Sequence, residues 1–321
     1  MIEAIIRRLF HTIIVLLVVS IIIFAGIYVV GNPIDLLISP TATQQDIEDA
    51  IKALGLDKPL WNQYFDFLIN ALNGDLGKSF IFNIPAIELI LSKLPATLEL
   101  AFFALFLAIV IGLPLGLIAG LKSGTLIDRV IMTGSILGFS VPTFWLGVTM
   151  IMFFSVYLGW LPPGGRGPTQ EFLGMEVSFL NLDGLKYILL PGINLALFKI
   201  SLVARLARSG TKEALLQDYV KFARAKGLSN NRIVVVHVLK NILIPIVTVM
   251  GMELGSLIAY AMVTETIFNW PGSGKLIIDS IYLLDRPVIV AYLLIITSII
   301  IFINLLVDLI YSFLDPRVRI E

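Results

Sequence analysis

The stretch NWPGSGKL, at residues 269–276, has at first sight the glycine and lysine spacing of a phosphate-binding loop. Such a loop reads G-x-x-x-x-G-K-[ST]. Its first glycine lets backbone amides converge on phosphate, and its final hydroxyl binds magnesium. Asn269 and Leu276 occupy those two positions here. Both groups that the chemistry needs are missing, so the stretch is predicted to bind no nucleotide.

Other enzymatic chemistry finds little support in the residue types. The chain has no cysteine, which excludes disulfides, thiolate metal sites and a cysteine nucleophile. His11 and His237 do not form a recognisable serine–histidine spacing. We therefore predict no catalytic residue, no metal site and no cofactor in this chain.

Polar side chains inside apolar stretches are the remaining candidates, because such groups are costly in a bilayer and often mark a transport path. Glu253 lies in MGMELGSL, and it either lines a path or pairs, with Lys199 as the possible partner. Asn194 is a second candidate for the path. Pro142 is expected to kink its helix and shape a cavity. Glu99, near the end of a stretch, is expected to anchor or pair.

The composition indicates what kind of protein positions these residues. The chain has 321 residues, of which 58% are hydrophobic and 14% are charged, whereas soluble domains have roughly 45–50% apolar and 25% charged residues. Lys plus Arg equals Asp plus Glu at 23 each, so no net charge attracts nucleic acid. An integral membrane protein with no nucleic-acid partner is predicted.

Six apolar stretches have the length of about 20 residues that a helix needs to cross a bilayer. The first is too long for a signal peptide and lacks a cleavage site. Six spans place both termini on one side of the membrane. The stretches are residues 9–30, 97–121, 130–159, 185–207, 242–263 and 288–313.

The placement of Lys and Arg indicates the orientation. Residues 205–240 carry a dense group of basic side chains, and the loops on the other side carry fewer over a greater length. A multi-pass protein of the cell membrane with both termini cytoplasmic is therefore predicted. NWPGSGKL would then lie outside, away from cellular ATP.

The outer segment, residues 31–96, is too polar to cross the membrane. Thr43 is expected to cap a short helix that ends at Gly55, and Pro59 to start a second helix that ends at NGDLG. Two interpretations remain open. The segment either covers the outer ends of the spans or provides a docking surface for an extracytoplasmic partner.

The loop between the fourth and fifth spans holds the most specific pattern. Residues Lys212 to Lys226 predict one helix, with Leu215, Tyr219 and Phe222 on a single stripe. Gly227 is expected to end this helix, and a serine two positions later to cap the next. Composition alone also permits a helix that lies on the membrane surface.

The sequence DYVKFARAKGLSNNR, followed by HVLKNILIP, resembles the coupling loop of ABC-importer permeases, and most closely that of the peptide/nickel branch. In the general family the loop reads E-A-A-x-x-x-G and then I-x-L-P. Gly227 takes the glycine position, which places Lys221, Phe222 and Ala223 at E-A-A. Two of these three differ from the general motif, and ILIP lies further downstream; both departures are usual in the peptide/nickel branch.

The resemblance extends over nearly the whole chain. Residues 166–186 fit it least well. Seven further stretches resemble the B-type permease subunit of that branch, in the expected order: LGLDKPLWNQY, GDLGKSF, LPATLELA, SVPTFWLG, LGWLPPGG, VTETIFNWPGSGKL and NLLVDLIYSFLDPRVR.

The resemblance implies an all-α polytopic protein with about six transmembrane helices and the type I permease fold of ABC importers. It implies an N-terminal transmembrane helix at 1–30, an extracytoplasmic segment at 31–96 and a core domain at 97–321 with its coupling loop at 209–241. The coupling residues would be Leu215, Tyr219, Phe222, Ala223, Arg224 and Gly227. Those of an outer loop near the gate would be Trp270, Pro271, Gly272 and Gly274.

The resemblance also implies partners. A homologous second permease would complete a heterodimer, two cytoplasmic ATPase subunits would bind ATP and Mg, and an extracytoplasmic substrate-binding protein would deliver cargo. The leading expectation is import of di- or oligopeptides, with oligosaccharides or nickel chelates as alternatives. An ion-coupled secondary transporter would more often show inverted repeats, and an intramembrane enzyme would need a nucleophile and base at one depth.

Overall fold

The computed structural model describes residues 2–29, 43–53, 57–172 and 174–314. These residues form twelve α-helices, two π-helical segments and one small antiparallel hairpin. The π-helical segments are Ile151–Tyr157, which continues α6, and Ile233–Val238, which joins α9 to α10. In chain order the α-helices are α1 Ile2–Val29, α2 Gln44–Ala53, α3 Leu60–Leu72, α4 Ala86–Leu121, α5 Leu126–Ser140, α6 Thr143–Met150, α7 Leu182–Leu216, α8 Asp218–Ala225, α9 Asn230–Arg232, α10 Leu239–Ile267, α11 Ser273–Tyr282 and α12 Arg286–Leu314.

The predicted all-α membrane class is confirmed. Among the described residues, four helices are long and apolar enough to cross a membrane: Ala86–Leu121, Leu182–Leu216, Asn230–Ile267 and Arg286–Val307. A fifth candidate is a bent pair, and α1 contributes the shorter apolar stretch Thr12–Gly26. The number of spans is therefore roughly the one expected.

The bent pair occupies the predicted span at residues 130–159. Helices α5 and Thr143–Tyr157 meet at 102°. Val141 and Pro142 are extended at the junction, with ψ of 128° and 130°. Proline has no backbone N–H to donate, and it disfavours helical geometry in the residue before it. The kink expected at Pro142 is therefore present, as a complete break in the helix.

The chain divides into two compact units. The first unit comprises Met1–Pro95 and Gly272–Ile301. In it, Ser20 and Tyr64 share a hydrogen bond of 2.9 Å, and the rings of Phe24 and Tyr64 are 5.4 Å apart, which packs α3 against α1.

Helices occupy both positions predicted in the outer segment. Helix α2 follows Thr43, and its predicted stop at Gly55 lies outside the described residues. Pro59 precedes α3, which ends at Asn73 before a left-handed Gly74 with φ of 80°.

The second unit comprises Ala96–Pro271 and Phe302–Glu321. Helix α7 is its central element and packs against α5 and α10. Part of α4 also lies close to α7, because glycines leave room there. A β-carbon at Gly120 would lie 2.6 Å from Thr211 Cβ, and one at Gly112 would lie 2.9 Å from Val203 Cβ. Such close approach through small residues is common between membrane helices.

Strand β1, Gln170–Phe172, pairs antiparallel with β2, Met175–Val177. This hairpin lies in the region that fits the resemblance least well. Periodicity gave no signal for it, because each strand has only three residues.

Candidate functional site

The predicted coupling loop is folded as two helices rather than one. Helix α7 continues to Leu216, Gln217 is extended with ψ of 151°, and α8 begins at Asp218. The prediction of one helix from Lys212 to Lys226 is therefore wrong. Tertiary packing explains the break. Ala214 belongs to the buried face of α7, and the chain must turn after it so that α8 can bury its own apolar face.

The buried face of α8 consists of Val220 and Ala223, which are 0% and 5% exposed. They pack into a core cluster with Ile233, Val238 and Ile242. Because the break at Gln217 changes the register, the single stripe expected from sequence does not form.

Five of the six predicted coupling residues thus fall into two groups. Leu215 and Ala223 pack against the core and hold the loop in place. Phe222 is 69% exposed, Tyr219 is 36% exposed and Arg224 is exposed. The surface of α8 that is free for contact is therefore aromatic and basic.

Gly227 shapes the turn that follows α8. Its φ is 76°, and its N–H donates to the Arg224 carbonyl at 2.9 Å. The expected end of the helix at Gly227 is confirmed, and the glycine adopts a left-handed conformation there. Ser229 occupies the N-cap position of α9 without a side-chain hydrogen bond.

A cleft of about 330 Å³ with a mixed polar and apolar lining lies beside α8. Its lining combines polar and apolar residues: Gly210, Glu213, Ala214, Gln217, Tyr219, Asn241, Ile242 and Pro245. On α8 itself, Asp218 forms an exposed ion pair of 2.8 Å with Lys221, which lowers the pKa of the Asp218 carboxyl through a side-chain hydrogen bond.

The predicted pair between α7 and α10 forms. Lys199 Nζ binds Glu253 Oε2 and donates to Ser256 Oγ at 2.8 Å, and Ser256 donates to Glu253 at 2.6 Å. The Lys199 side chain is 6% exposed and the Glu253 side chain is 28% exposed. The lysine charge is thus compensated in the interior, whereas the carboxylate reaches the surface of this unit.

Asn194 and Pro142 have different environments. Asn194 is fully buried, and its Nδ2 donates to Thr264 Oγ1 at 3.2 Å. It lies in the helix interface rather than on an open face of this chain. Pro142 is exposed at the break between α5 and α6.

Two residues of the predicted outer loop belong to the second unit and have contrasting environments. Trp270 is fully buried, and its indole N–H donates to the Ala96 carbonyl at 2.9 Å. Pro271, next to it, is exposed. Trp270 therefore anchors the loop to its own unit.

The first unit holds the other two residues of that loop. Gly272 is the N-cap of α11, and Gly274 is buried in its first turn. Lys275 binds Asp279 one turn later at 2.5 Å. The lysine that suggested a phosphate loop is thus part of a helix and forms an ion pair.

Sequence reasoning did not identify the buried charged cluster around Glu99. Glu99 is 5% exposed and accepts hydrogen bonds from Arg166 Nη2 at 2.6 Å and from Ser178 Oγ at 2.6 Å. The expectation that Glu99 pairs is confirmed. Its partner was not identified, because Arg166 lies 67 positions away in the least typical region.

The sequence and the fold match known proteins. The family described as "Binding-protein-dependent transport system inner membrane component" matches residues 112–320, and the corresponding N-terminal family matches residues 1–101. The chain belongs to this family. It is thus a multi-pass inner-membrane permease subunit of an ABC importer, not an enzyme, and it works with separate ATPase and substrate-binding components.

Several curated permeases resemble this family member over almost their full lengths. It is 40% identical to the di/tripeptide transport system permease protein DppB of Pseudomonas aeruginosa, over 94% of each chain. It is 37% identical to the dipeptide transport system permease protein DppB of Alkalihalophilus pseudofirmus, over 98% of each chain. The glutathione transport system permease protein GsiC of Escherichia coli is 36% identical over 99% of each chain.

Solved permeases share the fold. A structure of the MetNI methionine ABC transporter in an inward-facing conformation superposes with a TM-score of 0.53 and 21% identity, over 71% of this chain and 96% of the other. A second crystal form gives a TM-score of 0.54 and 19% identity with the same coverage. At these identities the likeness supports the permease fold alone.

Proposed function

We propose that this permease imports di- or oligopeptides. The observation that carries the proposal is its similarity, over 94–99% of the chain, to permeases whose names specify dipeptides, di/tripeptides or glutathione. Each of these cargoes is a short peptide. Import of oligosaccharides or nickel chelates by the same machinery is the alternative that the sequence left open.

In this proposal a homologous second permease forms a heterodimer with the chain, so that each contributes half of the pathway. Two ATPase subunits bind ATP and Mg on the cytoplasmic side, where both termini of this chain also lie. A substrate-binding protein approaches the extracytoplasmic segment at 31–96. The core domain at 97–321 contains the pathway and the coupling loop at 209–241.

Helix α8 is proposed to couple the permease to the ATPase. Its inner face is held by Val220 and Ala223, and its outer face presents Tyr219, Phe222 and Arg224. Exposed aromatic side chains beside basic ones are typical interface anchors. Because the inner face is packed into the unit, a movement of the docked ATPase would be transmitted to α7 and α10.

The proposal is tested by reconstituting the permease pair with its ATPases and binding protein in proteoliposomes. We expect uptake of labelled dipeptide that requires both ATP and the binding protein. An ionophore that dissipates ion gradients should leave uptake unchanged. Uptake that follows an ion gradient instead would support a secondary transporter, and uptake of a nickel chelate or an oligosaccharide in place of peptide would assign a different cargo.

A further inference from the structure

Helices α5, α7 and α10 bring charged side chains and two rings into one connected group. The Phe139 and Phe198 rings stack with centroids 4.4 Å apart. The Arg205 guanidinium lies 4.9 Å from the Phe139 centroid, and the Lys199 ammonium lies 5.0 Å from the Phe198 centroid. Glu253 continues the series through its ion pair with Lys199. We call these five residues the charge–ring group.

Exposure is greatest at the two ends of the group. Lys199 is buried and compensated, whereas Glu253 is partly exposed, Phe139 is 46% exposed and Arg205 is exposed. Arg205 donates to the Ser201 carbonyl of its own helix at 3.4 Å, and it forms no ion pair with any described residue. Charges that face lipid are costly. This face therefore fits a water-filled path or a subunit boundary better than the lipid surface.

The order of charges in the group is complementary to a short peptide. Lys199 and Arg205 are six positions apart on α7, which is about 9 Å along the helix axis and about 120° around it. The stacked Phe139 and Phe198 rings connect the two cations. The group therefore has a carboxylate at one end, an apolar middle and a guanidinium at the other end, as recognition of the two charged ends of one di- or tripeptide requires.

We propose that the charge–ring group is a substrate site in which Glu253 binds the α-ammonium of a short peptide and Arg205 binds its α-carboxylate. This inference rests on the proposed function, that the cargo is a peptide. The planar Arg205 guanidinium can bind a carboxylate with two parallel hydrogen bonds. The Phe139 and Phe198 rings lie between the two charges and provide an apolar surface for the peptide's side chains. A free peptide satisfies both ends of the site, and a peptide blocked at either end satisfies only one.

The test compares a free dipeptide with its C-terminal amide, using the complete importer in proteoliposomes. The binding protein is first titrated with each compound, so that transport is measured at concentrations that saturate it with either one. Wild type should import the free dipeptide faster than the amide. In Arg205→Gln the ratio of the two rates should fall about tenfold, toward one, because a charged hydrogen bond has been removed. Arg129→Gln, at another exposed arginine of the same unit, should leave the ratio unchanged.

Glu253→Gln is tested in the same way with the N-acetylated dipeptide, and its ratio of free to acetylated uptake should also fall about tenfold. A purely structural role would lower uptake of free and blocked peptides equally. Two outcomes would overturn the site while leaving the proposed function intact. In the first, wild type takes up free and blocked peptides at nearly equal ATP-driven rates. In the second, neither variant changes the ratio of these rates. Absence of peptide uptake by wild type contradicts the proposed function and the site with it.

Discussion

Arg166 binds the buried carboxylate of Glu99 through both Nε, at 3.0 Å, and Nη2, at 2.6 Å. The Glu99 side chain is 1% exposed and that of Arg166 is 15% exposed. Arg166 also lies 5.8 Å from the centroid of the buried Trp270 ring. One guanidinium, in the segment before the β-hairpin, thus contacts both Glu99 of α4 and Trp270, which follows α10.

Arg166→Ala is expected to destabilise the second unit, because it leaves the Glu99 charge buried without its main partner. Breaking a buried ion pair typically costs about 3–5 kcal/mol, and the partial exposure of Arg166 favours the lower end. The thermal unfolding midpoint in detergent should fall by several degrees. Lys186→Ala, which removes an exposed pair with Asp183, is the matched control and should change little. An unchanged midpoint in Arg166→Ala would show that water solvates Glu99.

Truncation of both exposed rings of α8, Tyr219→Ala with Phe222→Ala, should abolish docking of the ATPase. Interface anchors of this kind cost on the order of 2 kcal/mol or more each. The measurement is co-purification of the ATPase with the permease pair, together with substrate-stimulated ATP hydrolysis. Leu182→Ala removes an even more exposed apolar side chain at the other end of α7 and should retain both. Retention of wild-type stoichiometry and coupled turnover by the double variant would contradict the assignment of α8 to coupling.

Gly227→Ala should loosen the turn after α8 through backbone strain alone. A β-carbon there meets nothing within 4 Å, but φ is 76°, and the left-handed conformation costs an alanine roughly 1–2 kcal/mol. Hydrogen exchange of the amides in α8 should accelerate. At Gly134 a β-carbon also has open space and φ is not positive, so Gly134→Ala should leave the exchange of α8 unchanged. Equal exchange in both variants would mean that the turn tolerates other conformations.

Gly120→Ala should separate α4 from α7, because its β-carbon would lie 2.6 Å from Thr211 Cβ and 3.0 Å from the Arg208 carbonyl oxygen. Overpacking of this kind costs about 1–3 kcal/mol. The measurement is the denaturation midpoint of the purified permease pair, with Gly134→Ala again as control. A midpoint equal to that of wild type would indicate that α4 shifts without cost.

Lys275→Ala should leave ATP binding by the assembled importer intact. Lys275 forms an ion pair with Asp279 within α11, and the stretch lacks the first glycine and the hydroxyl of a phosphate loop. Binding of a fluorescent ATP analogue to the complete complex is the measurement. A large loss of nucleotide affinity would restore the phosphate-loop interpretation of NWPGSGKL.

The sequence predicts those features that depend on local composition. Apolar length identifies the membrane helices, and proline chemistry identifies the break at Pro142. Gly227 is predicted correctly because a left-handed turn after a helix has few alternatives to glycine. The Lys199–Glu253 pair could be suggested because two opposite charges inside apolar stretches each need compensation.

Features that depend on contacts distant in sequence could not be predicted. The helix break at Gln217 follows from which residues of α7 and α8 reach the core, and local propensity does not contain that information. Arg166 was not recognised as the partner of Glu99 for the same reason. Asn194 stays a predicted path residue, and its hydrogen bond to Thr264, 70 positions away, was likewise beyond the reach of local patterns.

The π-helical segment Ile233–Val238 lies between the turn at Gly227 and the first residue of α10. A π-turn accommodates one residue more than an α-turn, and one residue corresponds to about 100° of rotation around a helix. Deleting a single residue from this segment would let it relax to α geometry, or would turn Glu253 and the rest of α10 by more than a quarter of a circle relative to α8. The extra residue therefore sets the rotation of α10 about its axis relative to α8. Among related permeases, substitutions in this segment should be far more frequent than insertions or deletions.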